Sequence, residues 1–598
     1  MHGGLAAGVV VGNSACGHER TEYDLAICGG GLAGLTLARQ IKLQQPHWSV
    51  VLIDSADRPL MEAGHKVGES TVELGAYYLA EKLQLAEYLK ERHFVKLGLR
   101  YFFGGGHVSL AERPEMGLSS FPPFDSYQID RGRLENDLRD LIAQSGVVLI
   151  EGAKVEQISL SGDLSFHEVR ISGRIHEGGN TLRARWVVDA SGRRRFLQKQ
   201  LGLTKEKSTS RARQFSSSWF RLPGRIDIDN LVSTEKVPWH DRVPQGLRYF
   251  STTHLMGDGY WVWLIPLSSD YTSVGIVANE LLHPFSSFST YARSLTWLES
   301  HEPVLAAHLA GREPLDFRVM HDYSYSSKQV FSQERWACVG DAGVFVDPFY
   351  SPGTNMIGFA NSIVIDMMRL DFAGELTSQR VEDYNRFFLG MNDSLTANTQ
   401  LPYPFHGHAM VMAAKLIWDF CNAWGFSCPQ MFYGTYLDPS FSQHLRQTTA
   451  RLFSLIQTMQ RLWLEWAALS PSRLTYDFFD YLQLDFLRDM RSRNLQCAKS
   501  REQVIADQAE NMELVEQLAQ ALFLLAVEDV LPEHWDTFKT LPWLNAWRIG
   551  LKPESWEKDG LFRPVSPPAD SRRIYRELRR CFGVRDSPCT EDRGIDLS

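Results

Sequence analysis

Cysteine is scarce in this chain, with eight residues in 598 and no regular spacing between them. Cys28 and Cys338 stand inside apolar runs, which favours reduced, buried thiols over a disulfide framework. Long apolar runs are also missing. No window approaches about eighteen uninterrupted apolar residues, so the sequence predicts no transmembrane helix.

Basic residues are fewer than acidic residues. The 62 lysines and arginines face 71 acidic residues, which gives a formal net charge of −9. Nucleic-acid-binding proteins usually carry a basic stripe, so this balance argues against a nucleic-acid partner. His406 and His408 lack the further ligands of a zinc site, and no metal is predicted.

The start of the chain contains a short apolar run at residues 5–11 without a cationic segment before it. A disordered leader over residues 1–20 is therefore expected in place of a signal peptide, and a cytoplasmic protein with it.

Apolar and aromatic residues are abundant. Hydrophobic residues make up 44% of the chain and aromatic residues 12%, with 16 tryptophans. At 598 residues the chain is too long for one core, so two or three domains are expected.

A glycine-rich segment near the start is the strongest motif. An apolar run at 25–28 is typical of a buried parallel strand, and a helical pattern follows at 35–43. Between them, Gly29, Gly31 and Gly34 have the G-x-G-x-x-G spacing of a dinucleotide-binding turn. The first glycine permits the tight turn, the second lets a pyrophosphate approach, and the third lets helix and strand pack closely.

A second apolar strand at 50–53 ends in Asp54, twenty residues after Gly34. An acid at this place accepts hydrogen bonds from an adenosine ribose. Strand, glycines, helix, strand and acid in this order predict a cofactor site.

Two later segments return to the same pattern. Residues 185–192 form a strand that ends in Asp189 and the Gly192 turn, and residues 336–343 form a strand that ends in Gly340 and Asp341. A Pro/Gly loop at 346–356 then leads to a helix reaching about residue 370. The helix start near Gly353 is a place for electron-rich ligand atoms, such as a flavin pyrimidine edge.

Over residues 208–327 the hydrophobic residues recur with the period of two that is typical of β-strands. In the segment 259–267, Trp261, Trp263 and Ile265 share one face, which suits either a ring-stacking wall or ordinary core. Lys96 stands among apolar neighbours, and on the residues alone a lysine that extends to the surface explains it.

Taken together, these motifs resemble those of the flavoprotein aromatic monooxygenases. The resemblance rests on residues 29–34, 67–70, 130–131, 189–192 and 340–341. Within that superfamily, residues 261–266 match the W-x-W-x-I-P motif of the flavin-dependent halogenases, which include the tryptophan halogenases. The resemblance spans about residues 21–370.

The resemblance implies an α/β fold in which a Rossmann-like FAD-binding domain is interleaved with a β-sheet substrate domain. Beyond the resemblance, aromatic-rich amphipathic runs such as those at 416–424 and 452–466 predict a mainly helical C-terminal region. The expected parts are a leader (1–20), the FAD-binding domain (21–207), the substrate domain (208–330), the return segment of the FAD-binding domain (331–370), a helical cap (371–560) and a flexible tail (561–598).

The resemblance also implies a set of site residues. The catalytic candidates are Lys96, Tyr350 and Ser351, the substrate tunnel is expected at Trp261, Trp263 and Pro266, and the halide at Gly353. The FAD-binding candidates are Gly29, Gly31, Leu32, Ala33, Gly34, Asp54, Ser55, Gly68, Glu69, Ser70, Arg131, Asp189, Gly192, Gly340, Asp341, Pro348, Gly353, Thr354 and Asn355.

The chemistry that the resemblance implies is halogenation. Reduced FAD, supplied by a separate flavin reductase, and dioxygen oxidise a halide to hypohalous acid, and a lysine delivers the halogen to an electron-rich aromatic that is free or carrier-bound. Two residues depart from the family pattern. Tyr350 stands where tryptophan halogenases carry a glutamate, and Pro352 removes one N–H from the loop that holds the halide.

Two other functions remain open. One is an FAD-dependent monooxygenase or dehydrogenase of the same fold without halide chemistry, in which Lys96 anchors the substrate or acts as a base, and the Pro352 departure favours it. The other is a non-catalytic flavoprotein, either a redox sensor or a scaffold.

Overall fold

The computed structural model describes residues 21–173, 180–471, 476–495, 498–538, 541, 543–563 and 570–582. The predicted leader at 1–20 and part of the predicted tail lie outside these residues. Where the chain is described, none of its helices has the length and apolar character needed to cross a membrane. The cytoplasmic location stays a prediction.

The strands form two large sheets and one short pair. Their bounds are β1 Glu22–Cys28, β2 Val50–Asp54, β3 Phe94–Val95, β4 Leu99–Phe102, β5 Glu115–Gly117, β6 Tyr127–Gln128, β7 Val148–Glu151, β8 Ala153–Ser159, β9 His167–Gly173, β10 Thr181–Asp189, β11 Phe215–Pro223, β12 Thr252–Gly257, β13 Tyr260–Leu267, β14 Tyr271–Asn279, β15 Asp316–Met320, β16 Phe331–Ser332, β17 Trp336–Cys338 and β18 Phe478–Asp480.

The α-helices lie around these sheets and dominate the second half of the chain. They are α1 Leu32–Gln44, α2 Glu73–Tyr77, α3 Ala86–Arg92, α4 Arg131–Gln144, α5 Phe196–Gln200, α6 Val237–His240, α7 Tyr291–His301, α8 Pro303–Leu309, α9 Gly353–Phe372, α10 Ser378–Gln400, α11 Ala409–Asn422, α12 Cys428–Tyr433, α13 Pro439–Leu469, α14 Asp485–Leu495, α15 Arg501–Val530, α16 Trp535–Phe538, α17 Trp556–Asp559 and α18 Arg572–Phe582.

The first sheet is built on five parallel strands in the order β17-β10-β1-β2-β7. Cys28 at the end of β1 pairs with Asp189 on one side and with Ile53 on the other. The carboxyl ends of β1, β2 and β10 therefore meet at one edge, where α/β sheets bind their ligands.

The second sheet has the order β15-β11-β14-β13-β12-β4-β5-β18 and is mostly antiparallel. Strands β11 to β15 come from the predicted substrate domain, whereas β4 and β5 come from before it and β18 from the helical region. The sheet thus ties three parts of the chain together, and the predicted domain boundaries stay a prediction. The fold class is confirmed, since a parallel α/β sheet, a second sheet and a helical C-terminal region are all present.

The segment around Lys96 differs in two ways from what its sequence pattern predicts. The pattern predicts a helix that Ser70 or Thr71 caps and that runs towards Leu89, but α2 begins later, with Val72 at its N-cap position, because both hydroxyls bond elsewhere. The loose alternation at 94–103 predicts one strand, which the structure interrupts. The chain leaves β3 at Val95, and β4 begins only at Leu99.

Candidate active site

A cavity of about 470 Å³ lies at the carboxyl edge of the first sheet, between it and the second sheet. The sequence candidates that line it are Gly31, Leu32, Ala33, Gly68, Glu69, Ser70, Arg131, Gly192, Trp261, Trp263, Gly340, Asp341, Pro348, Ser351, Gly353 and Thr354. The candidates outside its lining are Gly29, Gly34, Asp54, Ser55, Asp189, Asn355, Lys96, Tyr350 and Pro266. Residues as far apart in the chain as Gly31 and Thr354 therefore meet around one space.

The three glycines of the turn have different surroundings. A Cβ on Gly29, whose φ is +131°, would lie 2.2 Å from the Ala190 carbonyl oxygen, and one on Gly34 would lie 2.0 Å from the Gly29 oxygen. A Cβ on Gly31 would meet nothing within 4 Å. Gly29 and Gly34 are thus required by the fold itself, whereas Gly31 leaves the cavity open for a ligand.

Asp54 is held by an arginine that the sequence analysis did not select. Nη2 of Arg139 donates to Oδ2 of Asp54 and, at 2.7 Å, to the carbonyl oxygen of Gly30. The acid is therefore fixed against the glycine turn, and its contact with a ribose stays a prediction.

Several polar groups around the cavity fit a bound cofactor. The indole Nε1 of Trp219 and the Nε of Arg131 are buried and have no hydrogen-bond partner among the described residues. At the start of α9, Pro352 occupies the N-cap position, and the backbone N–H groups of Gly353 and Thr354 donate to no described acceptor. Unpaired donors of this kind suit an anionic or electron-rich ligand.

Trp261 and Trp263 form one wall of the cavity, with ring centroids 5.7 Å apart. Trp263 can lie flat because its neighbour on β14 is Gly275, where a Cβ would come 2.2 Å from the indole. The Nε1 of Trp263 donates to Oγ of Ser273 at 3.1 Å. Both indoles are therefore fixed by neighbouring strands and helices.

The loop before α9 is anchored through Asp347. Its Oδ2 accepts from the hydroxyls of Tyr323 at 2.6 Å and Tyr403 at 2.7 Å. The Tyr403 hydroxyl in turn accepts from Nε1 of Trp261 at 3.0 Å. Burial raises the pKa of Asp347 to about 6, and the two tyrosine hydroxyls oppose that rise. The network joins the loop to the tryptophan wall.

Lys96 is buried, with 1% of its surface exposed, so a surface-reaching lysine is excluded. Its Nζ donates to Oγ of Ser70 at 2.8 Å and to the carbonyl oxygen of Thr71 at 2.7 Å. Burial lowers the pKa of the amine from 10.5 to about 7, and the carboxylate of Glu73 opposes that fall. Ser70 itself lines the cavity, so the amine lies directly behind the cavity wall.

The backbone presents Lys96 through the break between β3 and β4. Its N–H donates to the carbonyl oxygen of Ser126 at 2.7 Å. Gly98 follows with a φ of +75°, and a Cβ there would lie 2.7 Å from the Tyr481 hydroxyl. A glycine is needed at this turn for the lysine to point inward.

Tyr350 and Ser351 lie side by side, but only Ser351 lines the cavity. The Tyr350 hydroxyl donates to Oδ2 of Asp419, which also accepts from Nζ of the buried Lys415 at 2.5 Å. Ser351 has a φ of +50°, and its N–H donates to the Pro348 oxygen at 2.8 Å. The tyrosine thus faces the helical region and not the cofactor cavity.

Several known halogenases are similar to this chain in sequence. The chain is 27% identical over 454 residues to the flavin-dependent halogenase chlA of Dictyostelium discoideum, covering 71% of this chain and 73% of that protein. It is 26% identical to a 1H-pyrrole-2-carbonyl-(peptidyl-carrier protein) chlorinase of Pseudomonas fluorescens (56% and 73% covered) and 27% identical to the tetracycline 7-halogenase of Kitasatospora aureofaciens (64% and 71% covered).

The chain is similar in sequence to the flavin-dependent halogenases.

Other comparisons agree with the fold of this family. The family described as Lycopene cyclase protein matches residues 24–212. The structure of halogenase PltM has a TM-score of 0.57 at 18% identity, covering 88% of this chain and 98% of that one. The myxobacterial halogenase CndH has a TM-score of 0.51 at 23% identity, covering 64% and 83%.

This similarity supports the predicted family resemblance, the flavin-dependent oxidoreductase class and FAD as the cofactor. Sequence reasoning missed the residues that hold the site together: Asp347, Tyr403, Asp419 and Lys415. A signal existed for Asp347, since Asp-Pro is a common start of a helical turn and its side chain accepts from Phe349 N–H at 3.0 Å. Tyr403, Asp419 and Lys415 come from the helical region, where no motif marks them.

Proposed function

We propose that this enzyme halogenates an electron-rich aromatic (a phenol, a pyrrole or a carrier-bound acyl group) with reduced FAD, dioxygen and a halide, through hypohalous acid and Lys96. The observation that carries the proposal is the buried amine of Lys96, hydrogen-bonded to a serine of the cofactor cavity. The relatives named above include enzymes for carrier-bound pyrrole and for tetracycline, which supports an aromatic substrate.

The cavity residues would hold the cofactor at both ends. Gly31 and the N-terminus of α1 suit the pyrophosphate, while Gly340, Pro348 and the N-terminus of α9 suit the flavin ring. When bound in its reduced form, FAD would supply the two electrons that reduce dioxygen to the peroxide level, and that oxidant would convert the halide to hypohalous acid. A separate flavin reductase is the expected source of reduced FAD.

Lys96 suits the transfer step because its amine is desolvated. With a pKa of about 7, neutral and protonated forms coexist near neutral pH. The neutral amine has a lone pair that accepts an electrophilic halogen, and the protonated form donates a hydrogen bond to hypohalous acid. Ser70 and Thr71 hold the nitrogen in place in either form.

The tryptophan wall would keep the oxidant in a dry passage between the cofactor and Lys96. Trp261 and Trp263 are both buried, and their N–H groups bond within the protein. Water excluded by these rings cannot consume the oxidant, and the substrate cannot reach the flavin. Pro266 lies at the far end of the same strand, outside the cavity lining.

A halide would rest at the loop before α9. The N–H groups of Gly353 and Thr354 are available there, whereas Pro352 has none to offer. Ser351 lines the cavity beside them and can donate its hydroxyl. Tyr350 would act on this loop through its bond to Asp419, since its hydroxyl points towards α11.

Pro352 favours a second candidate, an FAD-dependent monooxygenase or dehydrogenase that uses no halide. With one donor fewer in the loop, halide affinity falls, and Lys96 would then serve as a substrate anchor or base.

The experiment supplies reduced FAD from a flavin reductase and offers the aromatic substrate with chloride, with bromide and without halide, and products are identified by mass. Halogenated product that disappears in Lys96→Ala, but persists in a variant of the exposed Lys90, supports the halogenase. An oxygen-inserted product that forms equally without halide supports the second candidate and refutes the first.

A further inference from the structure

Arg491 is a buried arginine without a counter-ion bond. Only 6% of its surface is exposed, yet no hydrogen bond or ion pair joins its guanidinium to another residue in the described parts of the chain. A guanidinium has five N–H donors, and burying them unpaired is costly. We expect a buried arginine without such bonds to bind an anionic ligand.

The surroundings of Arg491 are built from three separate segments. Its guanidinium carbon lies 4.4 Å from the ring centroid of Phe124 and 5.2 Å from that of Trp424. Phe124 comes from the loop after β5, Trp424 follows α11, and Arg491 is on α14. The aromatic rings shield the flat side of the guanidinium and leave its N–H edges for a planar acceptor.

The nearby acids do not neutralise this arginine by direct contact. Asp480 uses its carboxylate on the N–H and hydroxyl of Ser119 and on the N–H of Leu482. Glu73 acts on Arg491 only electrostatically and makes no hydrogen bond within the described residues. One acceptor place is therefore left at the guanidinium edge.

Glu73 also connects Arg491 to the catalytic region. Burial lowers the pKa of both Lys96 and Arg491, and the Glu73 carboxylate opposes the fall in both. The loop that follows β5 gives the contact between the two regions: Phe124 lies under the Arg491 guanidinium, and two residues later the Ser126 carbonyl accepts from the Lys96 N–H. A substrate that carries one negative charge would balance the charges of this group.

We propose that Arg491 binds an anionic oxygen group of the aromatic substrate, a carboxylate or a phenolate, and so fixes which ring carbon faces Lys96. This inference rests on the proposed function, because it assumes that an aromatic substrate enters beside Lys96. Arg491 is a specificity-determining residue in this scheme and does not touch the halogen. The bidentate geometry of guanidinium explains why an arginine is present here and not a lysine.

Binding without turnover tests the proposal. The holoenzyme with oxidised FAD is titrated calorimetrically with 2,4-dihydroxybenzoate and its methyl ester, and with 4-nitrophenolate and 4-nitroanisole. We expect at least one anionic probe to bind more tightly than its neutral partner. Arg491→Gln should weaken that probe by about 10- to 100-fold and change the neutral partner by less than about threefold.

Matched variants separate recognition from packing. Arg488 is on the same helix, exposed and paired with Asp485 at 2.6 Å, so Arg488→Gln should change neither probe. Arg491→Lys keeps the charge but loses the two-point contact, and an intermediate loss is expected. If Arg491→Gln does not bind FAD with the absorption spectrum of the unmodified protein, the binding constants of Arg491→Lys decide the test.

Three results would overturn the inference. They are equal weakening of anionic and neutral probes by Arg491→Gln, equal binding of both by the unmodified enzyme, and no binding of either anion. Preference for the benzoate or for the phenolate decides between the two acidic groups. Failure of halogenation in the reductase-coupled assay would instead refute the proposed function and leave the anion-to-neutral ratio intact.

Discussion

Replacing Lys96 by methionine should abolish activity, and its effect on stability should change sign with pH. The change removes two hydrogen bonds, to Ser70 at 2.8 Å and to Thr71 at 2.7 Å. At about 1–1.5 kcal/mol each, their loss costs about 2–3 kcal/mol. Halogenation should be lost, while FAD binding remains.

The same change removes the penalty of a buried amine. Burial lowers the Lys96 pKa from 10.5 to about 7, and each pKa unit corresponds to about 1.4 kcal/mol. Below pH 7 the folded protein therefore bears a penalty of roughly 5 kcal/mol. Between the two pKa values the unfolded chain binds more protons than the folded one, so stability rises with pH over this window until the penalty is gone.

Together, the two effects predict that the difference in melting temperature between Lys96→Met and the unmodified protein changes sign with pH. At about pH 6.5, Lys96→Met should melt at a higher temperature than the unmodified protein, by an amount equivalent to about 2 kcal/mol. At about pH 9.5 only roughly 1.4 kcal/mol of the amine penalty remains, so the lost hydrogen bonds dominate and the variant should melt lower.

Calorimetric melting of the apoproteins at both pH values measures this. The control is Lys90→Met, since the exposed Lys90 pairs with Asp125 at 3.2 Å and should show no such change of sign. A melting-temperature difference for Lys96→Met that is the same at both pH values would show that the amine is not held at a lowered pKa.

Three further predictions concern the cavity. Gly31→Val should raise the FAD dissociation constant by at least about tenfold, measured by flavin fluorescence, with little change in apoprotein melting, because the added side chain enters only the cavity. Gly275→Ala should displace the Trp263 indole, since its Cβ would lie 2.2 Å from that ring; halogenation falls and tryptophan fluorescence shifts, and unchanged emission would contradict this. Tyr403→Phe removes a 2.7 Å hydrogen bond to Asp347, so the pKa of that carboxyl should rise from about 6. The free energy of unfolding should fall by about 1 kcal/mol above pH 6. Below pH 6 it should fall by less, because the carboxyl is protonated in both proteins.

The glycine turn was predictable because its causes are local. Gly29 needs a positive φ and Gly34 a close backbone approach, and both requirements exclude other residues whatever the rest of the chain does. Strand and helix periods around the turn predict the same order of elements that the first sheet has. The indole face of β13 follows from the period of two for the same reason.

The position of Lys96 could not be derived from periodicity. Its sequence resembles a continuous strand, and the break that turns it inward depends on Gly98 facing Tyr481, which is distant in the chain. Only the resemblance to a family selected this lysine. Burial and the contacts of Ser70 are properties of the folded chain.

The sequence by itself determined the cofactor turn, the parallel sheet and the tryptophan strand, because dihedral limits and alternation act between near neighbours. Only the tertiary structure decided how the buried polar groups are paired: Asp347 accepts from two tyrosine hydroxyls, Tyr350 donates to Asp419, and Arg491 makes no hydrogen bond or ion pair within the described residues. The hydrogen bonds among them join residues 24 to 69 positions apart in the chain. Desolvation and pairing depend on such contacts, and no local pattern encodes them.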